Sequence, residues 1–287
     1  MTTGVASARD LVRQATTRLE KAGVPEPVAS AEVLLSELLG VGRAMLPLVR
    51  ESLTEDEAKL YGAWILRRLN REPVQRILGH AYFRNLRLEL NEHTLIPRSD
   101  TESVVEAALE RIDRRGGSRR VLDLGTGSGA IAISIAQERP ACEVHATDTS
   151  QAALQTARRN AEANETMVHF HQADVAANLE ALRESISVLV SNLPYIPSAE
   201  INGLAPEVRD WDPLTALDGG PDGLDFYRRI LTETPSLLER GADVVLEVGD
   251  GQADDVLALG EATGFTTLGS HKDLAGSERA VIFRWPA

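Results

Sequence analysis

Apolar positions in the first part of the chain recur at helical spacing. Leu11, Ala15 and Leu19 share one helix face. Ser7-Ala8-Arg9-Asp10 precedes them at capping-box spacing, and Gly23 and Pro25 end the element. Pro27 opens a second helix carrying Val33, Leu34, Leu35, Leu38 and Leu39 up to a stop at Gly40. Thr54-Glu55-Asp56-Glu57 caps a third, with Leu60, Tyr61, Ile65 and Leu69. Residues 1–76 thus read as a small helical domain. It has no catalytic pattern of its own, which leaves recognition or support as its role.

The period then shifts toward two. Tyr82, Leu86, Leu88 and Leu90 alternate with Arg87 and Glu89 about a turn at Asn85, which predicts a β-hairpin linker over residues 77–95. In residues 96–287, Ser99-Asp100-Thr101-Glu102 starts a helix through Val104, Val105, Ala108 and Leu109. Short apolar strands then alternate with helices: strands at 121–124, 143–147, 168–171, 188–190 and 244–246, helices at 130–137 and 152–163. That alternation predicts an α/β domain with a Rossmann-like parallel sheet. Residues 264–268 and 280–285 read as a closing antiparallel pair.

Composition narrows the classes. The 287 residues are 43% apolar but only 4% aromatic, so the core is built mainly from Leu, Val, Ile and Ala. The lone cysteine, Cys142, excludes an intramolecular disulfide framework and a cysteine-rich zinc site. No stretch approaches the ~20 apolar residues of a membrane span, and no signal-peptide apolar region stands near the start. The expectation is a soluble, cytoplasmic monomer. Net charge is -13 and uneven: residues 1–90 hold 13 Lys/Arg against 11 Asp/Glu, residues 91–287 hold 17 against 32. Binding bare nucleic acid relies on neutralising phosphates, so no direct nucleic-acid partner is expected. Arg67, Arg68, Arg71, Arg76, Arg84 and Arg87 concentrate basic charge, as a solvated helix face or a surface for a partner. His80, His93, His145, His169 and His171 are spread over several elements; His169 and His171 alternate on a strand without an evident third ligand, so no metal is assigned.

Two segments carry chemistry. Asp123-Leu124-Gly125-Thr126-Gly127-Ser128-Gly129 lies at a strand-to-helix junction, where glycines let a ligand approach the backbone and free N–H groups favour its anionic parts. Asp148 ends the next strand, placed to accept ribose hydroxyls, and Asp174 with Val175 follows the third strand, where the carboxylate meets an adenine amino group. A nicotinamide dinucleotide competes for such a loop, but its usual pattern is G-x-G-x-x-G and this one is G-x-G-x-G. The other segment, Asn192-Leu193-Pro194-Tyr195, follows the buried strand 186–190. Asn192 offers an oxygen that accepts from an NH2 group. Pro194 holds Leu193 extended so that its carbonyl is a second acceptor, and Tyr195 offers a face for a planar group. Taken with this turn, the loop and the two aspartates favour S-adenosylmethionine.

These residues resemble the bacterial peptide chain release factor N5-glutamine methyltransferases, class I S-adenosylmethionine-dependent enzymes of Asn-Pro-Pro-Tyr type. The likeness spans nearly the whole chain. It includes Glu72-Pro73-Val74-Gln75, Leu95-Ile96-Pro97-Arg98-Ser99-Asp100-Thr101-Glu102, Asp212-Pro213-Leu214, Gly219-Gly220-Pro221-Asp222-Gly223-Leu224 and Glu247-Val248-Gly249 with Gln252. The resemblance implies methyl transfer to the side-chain amide of the glutamine in the Gly-Gly-Gln motif of release factors. It places catalysis on Asn192, Pro194 and Tyr195, with Leu193 also touching substrate, and cofactor contacts on Gly125 to Gly129, Asp148, Asp174, Val175 and Asn192. One departure matters: the family usually has Pro where this chain has Leu193. Asn-Leu/Ile-Pro-Tyr looks like the version in ribosomal RNA adenine dimethyltransferases. The alternatives are therefore a ribosomal-protein glutamine methyltransferase, a nucleic-acid adenine N6-methyltransferase, or a non-catalytic module that keeps cofactor affinity.

Overall fold

The computed structural model describes residues 7–49, 53–116, 119–273 and 275–286. In chain order its first elements are α1 (Ala8–Lys21), α2 (Pro27–Leu39), α3 (Glu55–Leu69), α4 (Val74–Leu78), β1 (His80–Phe83), β2 (Leu86–Glu89) and α5 (Thr101–Arg115). There follow β3 (Arg120–Leu124), α6 (Ala130–Glu138), β4 (Glu143–Asp148), α7 (Gln151–Ala163), β5 (His169–Gln172) and β6 (Ile186–Ser191). The last are α8 (Pro206–Arg209), α9 (Asp225–Glu233), β7 (Leu238–Glu247), α10 (Ala253–Ala262), β8 (Thr266–Lys272) and β9 (Glu278–Arg284). No helix among the described residues is long and apolar enough to cross a membrane.

The chain divides into two compact units. One runs to Gly79 and takes in Ala205–Trp211; the other holds His80–Leu204 and the chain from Asp212 onward. The β1–β2 hairpin falls in the sheet unit, and Ala205–Trp211, distant in sequence, falls in the helical one.

In the helical unit, Leu19, Leu34, Leu35, Tyr61 and Ile65 form the core. Thr54 and Glu57 make a full capping box at α3. The Tyr61 hydroxyl donates to the Ala31 carbonyl at 3.0 Å. Leu60, expected on the inner face of α3, is exposed, because the stripe through Tyr61 and Ile65 leaves it on the outer side. Buried Arg68 donates to Ser30 Oγ at 3.2 Å and to Glu207 Oε1 at 3.0 Å. Arg71 grips the same carboxylate through two bonds of 2.7 Å. Burial would raise the Glu207 carboxyl, but the bonds from Arg71 and Arg68 override it and bring it to about 2. With exposed Arg67 on Glu72, these three arginines are each held in an ion pair.

The sheet unit has a β1–β2 hairpin and a seven-stranded sheet in the order β5-β4-β3-β6-β7-β9-β8. The first five strands are parallel; β9 runs antiparallel to β7 and β8 antiparallel to β9. Alternation along β3 sends Val121 into a core with residues of α5 and α6, and Leu122 into a core with residues of α9 and α10. Burial on both faces explains why β6 is buried at all six positions. The sequence reading did not assign α9 and α10 and took only the last part of β7. His145, His169 and His171 meet on one face of β4 and β5, with His145 Nδ1 2.9 Å from His171 Nε2 and the His145 ring stacked on His169. Burial holds His145 and His171 below the ordinary imidazole range. Among the described residues no His/Cys/Asp/Glu group is arranged to hold a metal ion.

Candidate active site

Strand order reverses between β3 and β6, and in open parallel sheets the crevice beyond such a point binds ligands. Gly125 to Gly129 turn the chain from β3 into α6 at that place. Gly125 has φ +73°, and a Cβ there would lie 2.3 Å from Leu193 Cδ2, so the left-handed backbone and the leucine packed over it both favour glycine between loop and turn. Beneath the loop, Asp123 is fully buried; its Oδ2 accepts from the Thr126 hydroxyl at 2.7 Å, while Oδ1 meets no hydrogen-bond partner among the described residues. Burial pushes its carboxyl up to about 7.

Asp148, at the end of β4, accepts from Gly127 N at 2.9 Å and Ser150 N at 2.8 Å. Burial raises its carboxyl against the pull of those N–H groups. Asp174 is exposed, and its Oδ1 accepts from Arg229 at 2.9 Å. Val175 beside it is buried and holds φ +50°, a strained conformation for a β-branched residue and of the kind that clusters at ligand sites.

The Asn192–Tyr195 turn leaves the end of β6. Asn192 Nδ2 donates to Thr101 Oγ1 at 3.1 Å. Neither Asn192 Oδ1 nor the Leu193 carbonyl accepts a hydrogen bond among the described residues. The chain after Tyr195 is clamped: Gln252 Nε2 donates to the Tyr195 carbonyl at 2.9 Å, and Gly219 N donates to the Ile196 carbonyl at 2.9 Å. A Cβ on Gly219 would lie 2.7 Å from Tyr195 Cα, so this close approach requires glycine. Behind the turn, Tyr195 Oη reaches Glu247 Oε1 at 3.5 Å. Glu247 is buried, and burial pushes its carboxyl up to about 7 against the Thr101 hydroxyl and the Arg279 charge.

A cavity of about 730 Å³ joins the two segments. Gly125, Thr126, Gly127, Ser128, Asp148, Asp174, Val175, Asn192, Leu193 and Pro194 all line it; Gly129 and Tyr195 do not. Gly129 is instead the N-cap of α6. Tyr195 lies beside that lining: its ring packs against Gly249 and its hydroxyl reaches Glu247. The sequence reading missed Thr101, Gln252 and Glu247 as site residues, although it noted the segments that hold them. It also missed buried Asp212, which accepts from Ile96 N and the Arg98 guanidinium and so ties the 95–98 wall to the 214–216 wall. A carboxylate ending the apolar run of β7 is the one local signal that could have singled out Glu247.

Residues 10–79 match the family model described as PrmC N-terminal domain, and residues 101–204 match the methyltransferase small domain. The chain is 43% identical over 270 residues to a release factor glutamine methyltransferase of Rhodospirillum rubrum, covering 93% of this chain and 82% of that one. The chain belongs to the release factor glutamine methyltransferase family. A member from Agrobacterium fabrum is 39% identical with 93% of each chain covered, and one from Cereibacter sphaeroides 38% identical with 98% and 99% covered. Among solved structures, a methyltransferase from Pyrococcus furiosus aligns with TM-score 0.52 at 19% identity, over 79% of this chain and 98% of that one. The hMettl16 catalytic domain in complex with a MAT2A 3′UTR hairpin aligns with TM-score 0.56 at 14% identity, over 80% and 82%. At these identities the likeness shows that this family member has a methyltransferase fold, and no more.

Proposed function

We propose that this protein methylates the side-chain amide nitrogen of a release-factor glutamine, the one in the Gly-Gly-Gln motif, using S-adenosylmethionine. The observation that carries the reading is a pair of unused acceptors, Asn192 Oδ1 and the Leu193 carbonyl, beside the glycine loop in one cavity. An NH2 group has two hydrogens in one plane, and two acceptors fix both its position and its orientation. The residues present fit the cofactor. Asp148 retains lone-pair capacity for ribose hydroxyls beyond its two backbone donors, Gly125–Ser128 form a glycine-lined wall, and Val175 closes an apolar side for the base. Asp174 keeps one oxygen outside its bond to Arg229 for an adenine amino group.

Bound S-adenosylmethionine supplies an electrophilic methyl on its sulfonium. The chain's part is alignment. An amide nitrogen is a weak nucleophile because its lone pair is delocalised into the carbonyl. Asn192 Oδ1 and the Leu193 carbonyl each take one amide hydrogen, which turns the nitrogen toward the methyl and raises its electron density. Pro194 limits the freedom of Leu193 and so holds the second acceptor. The proton lost after transfer is acidic and goes to water, so no general base is required.

The test is methyl transfer from labelled S-adenosylmethionine to a purified release factor, with the label located by mass spectrometry, alongside a structured RNA. Label on the Gly-Gly-Gln glutamine is expected. Label on RNA adenine alone, or on a ribosomal protein glutamine alone, would overturn the reading.

A further inference from the structure

We propose that Phe226 is a further cofactor-binding residue, whose ring stacks on the adenine of S-adenosylmethionine. This rests on the reading that the ribose meets Asp148 and the adenine amino group meets Asp174. Those two contacts hold the edges of the nucleoside but leave the faces of its base unassigned. A purine stacks on aromatic side chains irrespective of its edge groups. Val175 offers the cavity only an aliphatic surface. Apart from the His93 imidazole, Phe226 is the single aromatic ring among the described residues that line it.

The helix that carries the ring brings it to the Asp174 end. The inner side of α9 is fixed by Tyr227, Ile230 and Leu231, all buried in the core on that face of the sheet. The Tyr227 hydroxyl also donates to the Glu247 backbone carbonyl at 2.8 Å, which sets the rotation of the helix. Phe226 and Arg229, three positions apart, are neighbours on the helix surface, and both line the cavity. Arg229 lays its guanidinium carbon over the Phe226 ring, 6.0 Å from the centroid. The same guanidinium donates from Nη1 to Asp174 Oδ1 at 2.9 Å. One side chain therefore joins the phenyl ring to the carboxylate assigned to the adenine amino group.

Arg229 is itself anchored, since its Nε donates to Glu233 Oε1 at 2.8 Å, one turn further along α9. The cation is attracted by the ring quadrupole and covers part of the ring. Phe226 nonetheless stays only half-buried and borders the cavity. A base lying against it would remove that apolar surface from water, so burial adds to stacking. Topology favours the nucleoside over the acceptor as its partner. Asp174 follows β5 and Asn192 follows β6, with β4 and β3 between them in the sheet. At the usual strand spacing that separation is roughly 14 Å. A ring tied to Asp174 therefore serves the base rather than the amide that reacts beside Asn192.

The experiment is calorimetric titration of the full chain with S-adenosylmethionine, S-adenosylhomocysteine and adenosine. Phe226→Ala should weaken all three by a common factor of roughly 5- to 100-fold, the weight of one base on one aromatic ring. Phe226→Leu keeps the apolar bulk without the ring, so it tests stacking even if the alanine variant folds poorly; it should lose most of the same factor. Phe226→Tyr restores a ring and should recover the affinity. Wild-type affinity for S-adenosylmethionine in both Phe226→Ala and Phe226→Leu overturns the proposal, and a raised KM for the release factor in those variants would give the ring to the acceptor instead. Loss for the two ligands with an amino-acid end, and none for adenosine, overturns it as well. If Asp148→Ala weakens cofactor binding while Phe226→Ala and Phe226→Leu do not, only this inference fails. If the wild-type chain does not bind S-adenosylmethionine, the cofactor reading fails first and this falls with it.

Discussion

The side chain of Leu193 sits directly over the backbone of Gly125, close enough that a Cβ at 125 would meet Leu193 Cδ2 at 2.3 Å. The cofactor loop and the acceptor turn therefore touch through the one position of the turn that departs from Asn-Pro-Pro-Tyr. A methyl group added at 125 must move Leu193 and also adopt φ +73°, which costs L-residues about 1–2 kcal/mol. Gly125→Ala should weaken cofactor binding by roughly tenfold or more and slow transfer. Trimming the contact with Leu193→Ala in the same chain should recover part of the loss, because only the clash is relieved. Calorimetric titration of the two variants checks this; equal affinities of single and double variant would show that φ alone matters.

Leu193→Pro removes the leucine side chain from Gly125 but keeps a carbonyl in the same place. Most glutamine methylation should remain. A collapse of the rate would mean that the side chain itself holds the loop, and a gain of RNA methylation in the wild type over the variant would make Leu193 a selector of acceptor.

Asp148 bridges the N–H groups of Gly127 and Ser150. Its assignment to the ribose predicts that Asp148→Ala weakens S-adenosylmethionine binding by roughly 1.5–3 kcal/mol, the range for hydrogen bonds to a charged group. Unchanged affinity by calorimetry would remove it from the cofactor site.

Sequence made the local features legible and hid the convergent ones. Val121 and Leu122 are both apolar in a short run, so a strand buried on two faces could be read directly. The glycine loop and the Asn-Leu-Pro-Tyr turn are each continuous in the chain. Thr101, Asn192 and Glu247 are not, and only the register of β6 beside β7 and the start of α5 brings them together. Arg71 reads as surface charge until Glu207, 136 positions away, is found between it and Arg68. The surroundings of Tyr195 are hidden for a similar reason: Gly249 against its ring and Glu247 at its hydroxyl are both distant from it in the chain.

Glu207 makes a pH-dependent contribution to the helical unit. Its folded carboxyl is depressed to about 2 from an ordinary 4.5, so the folded state holds the ionised form more firmly. The stabilisation is full above about 4.5 and is lost as pH falls through 2. Glu207→Gln should cost about 1–2 kcal/mol near neutrality, allowing for solvent screening at half-buried Arg71. Chemical denaturation of the full chain at pH 7 and pH 3 should show the gap narrowing in acid. A constant gap would mean that packing, not charge, is what Glu207 contributes.

Asn192 and Tyr195 should separate cleanly. Asn192→Ala removes an acceptor with no backbone substitute, so single-turnover transfer should fall by ~10²-fold or more, the scale of a lost preorganised polar contact. Tyr195→Phe removes only a hydroxyl whose bond to Glu247 is long at 3.5 Å, and leaves in place the ring and the Gln252 bond to its carbonyl. Its rate should stay within about 5-fold of wild type, the weight of one weak neutral hydrogen bond. Gln252→Ala releases that carbonyl together with the Gly249 N–H, so it should slow transfer more than Tyr195→Phe does. A Tyr195→Phe rate as low as that of Asn192→Ala would return the phenol to the chemistry. Asn192→Ala at the wild-type rate would remove the acceptor pair from it altogether.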